Sequence, residues 1–276
     1  EAWRMKKLFG GVLSGVAVPV FLAVLLGFGI MAFAQENLIF FPETLPQDFR
    51  YSFPGRFSEV RVSVVGAEIN ALHFHAGSPK GVILYLHGNA GSLRTWGEIA
   101  PDFTRHGWDL FLPDYRGYGK STGKIRNEKT LHDDAAALFA HLKGLYPPER
   151  IVLYGRSLGT GIAVKLAAGE RPRAVILESA YSSFVDVAKF HYPYLPRWFL
   201  NLFMKYTLRT DRWIGEVACP VYLFHGTRDD IIPFASSERL MPLIRGEKRL
   251  VAIPGGGHND LDAYAQYHEE LANILR

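Results

Sequence analysis

The chain has 276 residues, 48% of them hydrophobic and 21% charged, a globular balance that excludes a disordered or collagen-like polymer. Its net charge of +4 comes from scattered lysines and arginines with no basic run beyond Lys6-Lys7, so there is no electrostatic footprint for nucleic acid. The one cysteine, Cys219, excludes an internal disulfide and a cysteine-rich metal site; next to Pro220 it reads as a small buried hydrophobe.

The first element is an uncharged apolar run from Leu8 to Ala34. As a helix it would be ~40 Å long against ~30 Å of hydrocarbon, so residues 8–34 are expected to form a transmembrane helix, which Pro19 can kink. Ala32-Phe33-Ala34 has the small-x-small pattern of a signal cleavage site, but the run is longer than the apolar region of a secretory signal, which favours an uncleaved anchor. Lys6 and Lys7 precede the span, and Glu36, Glu43 and Asp48 follow it. The positive-inside rule then predicts a short cytoplasmic N-terminus, residues 1–7, and a domain outside the cytoplasm, periplasmic in a bacterium. The bilayer is an expected partner. Residues 35–58, rich in proline and aromatics, read as a linker laid against the domain or the membrane interface.

From residue 59 to 276 short apolar strands alternate with helical stretches. "RVSVVG" and "INALHFH" open as an antiparallel pair. The strands "GVILYLHG", "WDLFLPD", "RIVLYG", "AVILES", "VYLFHG" and "KRLVAIPG" follow. Between them the helical stretches are "RTWGEIAPDFTRHG", "KTLHDDAAALFAHLKGLY", "SLGTGIAVKLAAG", "PFASSERLMPLI" and, last, "LDAYAQYHEELANIL". Continuous apolar strands separated by helices predict an α/β fold, a mostly parallel sheet covered on both faces. An aromatic-rich insertion at about 181–216 interrupts the alternation and reads as a cap. In such sheets ligands bind beyond the carboxyl ends of the strands, which directs attention to the residue after each strand.

One of those places carries Gly155-Arg156-Ser157-Leu158-Gly159, a strand–G-x-S-x-G–helix turn. This context predicts a nucleophile elbow, with Ser157 on a sharp turn at the head of a helix whose N–H groups favour negative charge. The competing reading is a helix N-cap serine between chance glycines. A serine nucleophile needs a base, and the base an orienting acid, in the chain order Ser, acid, His for this type of sheet. His258, after the last strand in "AIPGGGHND", is the candidate base. Of the ten histidines, His73, His75, His106, His132, His141, His191 and His268 have no comparable placement. "LFHGTRDDIIP" offers Asp229 and Asp230 after the preceding strand; spacing favours Asp229, with Asp230 as a cap for the next helix. Glu178, also at a strand end, ranks third. The oxyanion donors are expected to be the backbone N–H groups of Leu158 and of Asn89 in "VILYLHGNAG", with Ala90 next to it. His87 in the same motif reads as structural.

"HGNAGS", "PDYRGYGKSTG", "GRSLGTG", "ESAYSSF", "HGTRDDIIP" and "GGGHND" occur in the order and at the spacing of the α/β-hydrolase superfamily. Over roughly Glu36 to Arg276 the chain most resembles its membrane-anchored bud-emergence-type and ABHD-type branch, which includes protein depalmitoylases. The resemblance implies a Ser157–His258–Asp229 triad, hydrolysis of an ester, thioester or amide, and neither a metal nor an organic cofactor. The chain differs from eukaryotic depalmitoylases in having a hydrophobic span and no N-terminal cysteine.

The insertion holds Phe184, Phe190, Tyr192, Tyr194, Trp198, Phe199, Phe203, Tyr206 and Trp213 among Arg197, Lys205 and Arg209. Most of these rings are expected to pack the cap onto the core, and the rest to line an acyl-chain slot facing the membrane. The expected function is a membrane-tethered serine esterase or thioesterase of acylated lipids or proteins. A serine peptidase on the same scaffold and a non-catalytic binding protein are the alternatives.

Overall fold

The structure, a computed structural model, describes residues 35–276 together with Val18, Pro19, Leu22 and Gly29. The short N-terminus and the transmembrane helix expected at 8–34 lie outside the described residues, those four positions apart. Among the described residues no helix is long and apolar enough to cross a membrane.

Residues 35–39 are helical (α1) and are followed by a short strand, β1 (Phe41–Pro42). A hairpin follows, β2 (Arg56–Val64) and β3 (Ala67–His75), then β4 (Val82–Leu86) and β5 (Ala90–Gly91). The segment expected to be one helix at 94–107 is instead α2 (Leu93–Trp96), a 3-10 turn and α3 (Ala100–Thr104). Gly97 and Pro101 sit inside it, and the Phe53 ring lies so close to Gly97 that a Cβ there would come within 2.3 Å of it. Next come β6 (Asp109–Pro113), α4 (Glu128–Lys143), β7 (Ile151–Arg156), α5 (Leu158–Gly169) and β8 (Ala174–Glu178). The insertion carries α6 (Phe184–His191), α7 (Arg197–Phe203) and α8 (Thr210–Trp213). The chain closes with β9 (Val221–Gly226), α9 (Ala235–Leu240), β10 (Lys248–Ile253) and α10 (Ala265–Ile274). α9 is shorter than expected because Pro242 follows it, and the chain runs on in a 3-10 turn.

The main sheet has eight strands in the order β10-β9-β8-β7-β4-β6-β3-β2. β2 and β3 run antiparallel to each other, β3 also to β6, and the remaining pairs are parallel. The period of two along each strand splits the core into two layers. Val82, Leu84, Leu86, Ile151, Leu153, Val175 and Leu177 face α4 and α5, whereas Ile83, Tyr85, Val152, Tyr154 and Ile176 face α3 and α10. Both faces are therefore buried, as a parallel sheet requires.

One expectation needs correction. The linker–domain boundary at 58/59 falls inside β2, whose pairing with β3 begins at Arg56. The preceding segment is structured: β1 pairs in parallel with β5, and the α1 residues Gln35 and Glu36 bond to the insertion. Neither feature has a local signature, because β1 and β5 are too short to show alternation. The expectation for Cys219 agrees with its setting: it is buried, and burial pushes its thiol up to about 11.

Backbone meets backbone closely where α5 crosses β4. A Cβ on Gly159 would lie 1.9 Å from the Leu86 carbonyl oxygen, a backbone atom that cannot move aside. Gly159→Ala is therefore expected to destabilise the domain by about 3 kcal/mol or to prevent folding, read as the shift in the urea unfolding midpoint.

Candidate functional site

The site forms at the carboxyl ends of β7, β9 and β10. Ser157 ends the turn between β7 and α5 with φ 50° and ψ −116°, a left-handed conformation that costs a non-glycine residue of order 1–3 kcal/mol. Two features hold it there. Its N–H donates to the Glu178 carbonyl at the end of β8 (2.9 Å), and α5 starts at the next residue. A Cβ on Gly155 would lie 2.5 Å from the Gly159 carbonyl, so the strand and the helix can meet this closely only without side chains. Ser157 makes no side-chain cap bond to α5, which separates it from the N-cap reading.

The Ser157 hydroxyl donates instead to Nε2 of His258 (3.1 Å). The Nδ1–H of the same ring donates to Oδ2 of Asp229 (2.8 Å), a tautomer assigned from this network. Asp229 accepts further bonds at Oδ1 from the Ile231 and Ile232 N–H groups (3.0 and 2.8 Å). Burial alone would raise its carboxyl, but hydrogen bonds from His225 and His258 and from the backbone overcome burial and hold it well below the usual carboxylate range. The two loops that carry Asp229 and His258 are tied together: Thr227 N–H donates to the Ile253 carbonyl (3.0 Å) and Arg228 N–H to the Gly256 carbonyl (2.8 Å).

The other acids separate clearly. Asp230 points to solvent and does not cap α9, whose preceding residue is Phe234. Glu178 is buried and bonds Tyr154 and Arg156, the latter at 2.9 Å. Burial would weaken the Arg156 charge, but Glu178 more than compensates and raises it. The Arg156 guanidinium also reaches Asn259 Oδ1 (3.2 Å) and lies over the Trp96 ring, so it straps the histidine loop to the elbow.

Across from the elbow is the loop after β4. A Cβ on Gly88 would lie 3.8 Å from the Ser157 Cβ. The Asn89 carbonyl accepts from Phe41 N–H (2.8 Å) and Tyr118 hydroxyl (2.7 Å), and its side chain donates to the Ile39 carbonyl (3.0 Å). Among the described residues the N–H groups of Asn89 and Leu158 have no hydrogen-bond partner, which leaves both available to an anion at Ser157. Ala90 belongs to β5 instead. His87 is buried, stacks on Trp96 and bonds the Gly88 carbonyl.

Sequence reasoning missed the role of His225. This buried ring donates from Nε2 to the Ile232 carbonyl (2.8 Å), lies 3.3 Å from Asp229 Oδ2 and accepts from the Ser237 hydroxyl at Nδ1 (2.7 Å). It thereby fixes the turn that aims Asp229. Its place at the end of β9, four residues before Asp229, was the available signal.

The nine rings of the insertion divide. Phe199 and Tyr206 are buried and Phe184, Phe203 and Trp213 half-buried, while Phe190, Tyr192, Tyr194 and Trp198 are exposed. The insertion meets the site edge where His191 Nε2–H donates to the Ile231 carbonyl (2.9 Å), two residues from Asp229.

Comparison with known proteins agrees with this architecture. Residues 77–211 match the family described as serine aminopeptidase, S33. The chain is 35% identical over 274 residues to the uncharacterized protein Rv2307c of Mycobacterium tuberculosis, covering 93% of this chain and 96% of that one. It is 34% identical over 209 residues to alpha/beta hydrolase domain-containing protein 17B of Xenopus laevis, covering 72% and 67%. An esterase of Pyrococcus furiosus superposes with a TM-score of 0.65 over 86% of this chain and 97% of that one, at 17% identity, a likeness of fold. The sheet order, the elbow and these relatives together identify the chain as a member of the α/β-hydrolase family.

Proposed function

We propose that the protein is a membrane-tethered serine hydrolase that cleaves carboxylic esters or thioesters of acylated lipids or proteins. The observation that carries this reading is the continuous bond chain Ser157–His258–Asp229 beneath two free N–H groups. In the proposed cycle His258 Nε2 takes the Ser157 proton as Oγ attacks the acyl carbonyl. Asp229 keeps the imidazole oriented and stabilises the imidazolium. The Leu158 and Asn89 N–H groups bind the oxyanion. Collapse expels the alcohol or thiol, protonated by His258, and leaves an acyl-Ser157 ester. His258 then deprotonates water, which attacks that ester and releases the acid and the free serine.

The acyl preference rests on two supports. The apolar run at 8–34, read as an anchor with the domain outside the cytoplasm, would hold the site near lipid. The four exposed rings of the insertion present apolar surface, and His191, between two of them, bonds the edge of the site at Ile231. The esterase among the structural relatives points to the same bond type. The family description, serine aminopeptidase, favours a second reading in which the same groups cleave a peptide bond.

Four outcomes are expected. Ser157→Ala should stay folded and lose about 10⁴–10⁶-fold in kcat on p-nitrophenyl esters, together with its labelling by a fluorophosphonate; a folded variant with wild-type rates would remove the assignment. Wild type assayed in detergent from acetyl to palmitoyl should peak at medium or long chains, whereas a peak at acetyl would defeat the acyl reading, and turnover of aminoacyl-p-nitroanilides alone would favour the peptidase. Asp229→Asn should lower kcat by about 10⁴-fold. Because the native Asp229 pKa is depressed, its stabilisation is fully present above the unfolded value of about 3.9 and is lost as pH falls through the native one. Thermal unfolding from pH 6 down to pH 2.5 should therefore show wild type losing stability below about pH 4 more steeply than Asp229→Asn.

A further inference from the structure

At the other end of the sheet three potential ligands converge. His73 and His75 alternate with Phe74 on β3 and so share one face. β3 pairs antiparallel with β6 with His73 opposite Phe111 and Phe74 opposite Leu110; continued by one residue, this register sets Asp109, the first residue of β6, opposite His75. Opposed residues project to the same face, so topology alone gathers the two imidazoles and the carboxylate. One donor atom from each lies within 4.8 Å of the others.

The distances have a chemical meaning. His73 Nε2 lies 3.4 Å and His75 Nδ1 3.7 Å from the same oxygen, Asp109 Oδ2. Both are long for hydrogen bonds. Donor atoms around a tetrahedral zinc ion, with bonds of about 2.0–2.1 Å, are separated by about 3.3–3.4 Å, so the two spacings to Asp109 are close to those of a coordination shell, and the two ring nitrogens lie within 4.8 Å of each other.

The outer atoms of His75 and Asp109 are held from outside, which is how metal ligands are oriented. Ser58 on β2 lies 3.0 Å from His75 Nε2, so Nδ1 is turned inward. Ala76 N–H donates to Asp109 Oδ1 (2.7 Å), so Oδ2 is turned inward. Tyr146, just beyond α4, donates its hydroxyl to Asp109 Oδ2 (2.6 Å) and lies 3.1 Å from His73 Nε2, so it braces the carboxylate against the ring. Asp109 and His73 are buried, whereas a quarter of the His75 side chain is exposed and gives an ion its way in.

We propose that His73, His75 and Asp109 form a zinc site, with a water as fourth donor. Two imidazoles and a carboxylate suit a borderline divalent ion such as Zn²⁺ rather than Ca²⁺ or Mg²⁺. Asp109 opens β6 at the amino end of the parallel strands, a strand length of about 17 Å from their carboxyl ends, where Ser157 stands. The ion is therefore structural: it fastens β3 to β6 where the antiparallel hairpin joins the parallel sheet.

The test uses the full chain without an affinity tag, stripped with a chelator and dialysed against Zn²⁺, with bound metal measured by elemental analysis. One zinc per chain is expected, with a rise in Tm of about 5 °C at a hundredfold excess over Kd. Substituting Co²⁺ should give the intense visible bands of a tetrahedral nitrogen–oxygen site. His75→Ala, chosen because the ring is partly exposed, should weaken zinc binding at least ~100-fold, and Ser157→Ala should bind zinc like wild type. Substoichiometric zinc in wild type, equal affinity in His75→Ala, or an octahedral cobalt spectrum would each overturn the site. The cobalt spectrum of the wild-type chain decides the question even if the variant does not fold.

Discussion

A single close approach of backbone to backbone organises this molecule. α5 crosses β4 with Gly159 against the Leu86 carbonyl, and β7 enters the same crossing at Gly155. With no side chain in between, the turn from strand to helix takes a single residue, and that residue, Ser157, must adopt φ 50°. The strain is held by the Glu178 carbonyl on one side and by the start of α5 on the other. The result is a hydroxyl that stands clear of the sheet with unpaired N–H groups on either flank. An unstrained serine at a wider turn would cap its own helix and face the wrong way.

Around that hydroxyl, polar groups are placed by neighbours that are themselves pinned. Asp229 remains a carboxylate against its burial because two histidines and two N–H groups converge on it. His225 is fixed by Ser237 and Ile232, and the loops after β9 and β10 are bonded to each other rather than free. Arg156 adds a strap from the elbow to the histidine loop, and its buried charge is matched by Glu178. Asp229, His225, His258, Arg156 and Glu178 each answer to a partner, and this cross-bracing holds distances of 2.8 and 3.1 Å in residues carried on separate loops.

The segment before β2 links the same region to the insertion. Asn89 is held through its carbonyl by Phe41 and through its side chain by Ile39. A few residues earlier, Gln35 and Glu36 bond the Phe203 carbonyl, the Lys205 N–H and the Tyr206 hydroxyl, while Phe40 packs edge-on against Tyr206. One short stretch of chain, directly after the apolar run, thus touches both the loop facing Ser157 and the base of the aromatic insertion.

The sequence by itself determined the architecture and the places where polar chemistry could sit. Uninterrupted apolar strands such as "VILYL" and "AVILE" can only be buried on both faces, and a glycine pair around Ser157 after such a strand demands a tight turn. It also ordered the candidates after the strands, His258 last, because the parallel sheet fixes which end of each strand carries a site. Tertiary structure decided the rest, and the reason is range. Ser157 and His258 are 101 positions apart, and the difference between Asp229 and its exposed neighbour Asp230 lies in which side of one turn the folded loops face. The pairing of β1 with β5 and the bonds that His225 makes to Ile232 and Ser237 follow from contacts that no local period records. The gathering of His73, His75 and Asp109 depends on strand register between segments that the chain itself keeps far apart. Periodicity tells which face of an element is apolar; only the assembled sheet brings one element's residues within bonding distance of another's.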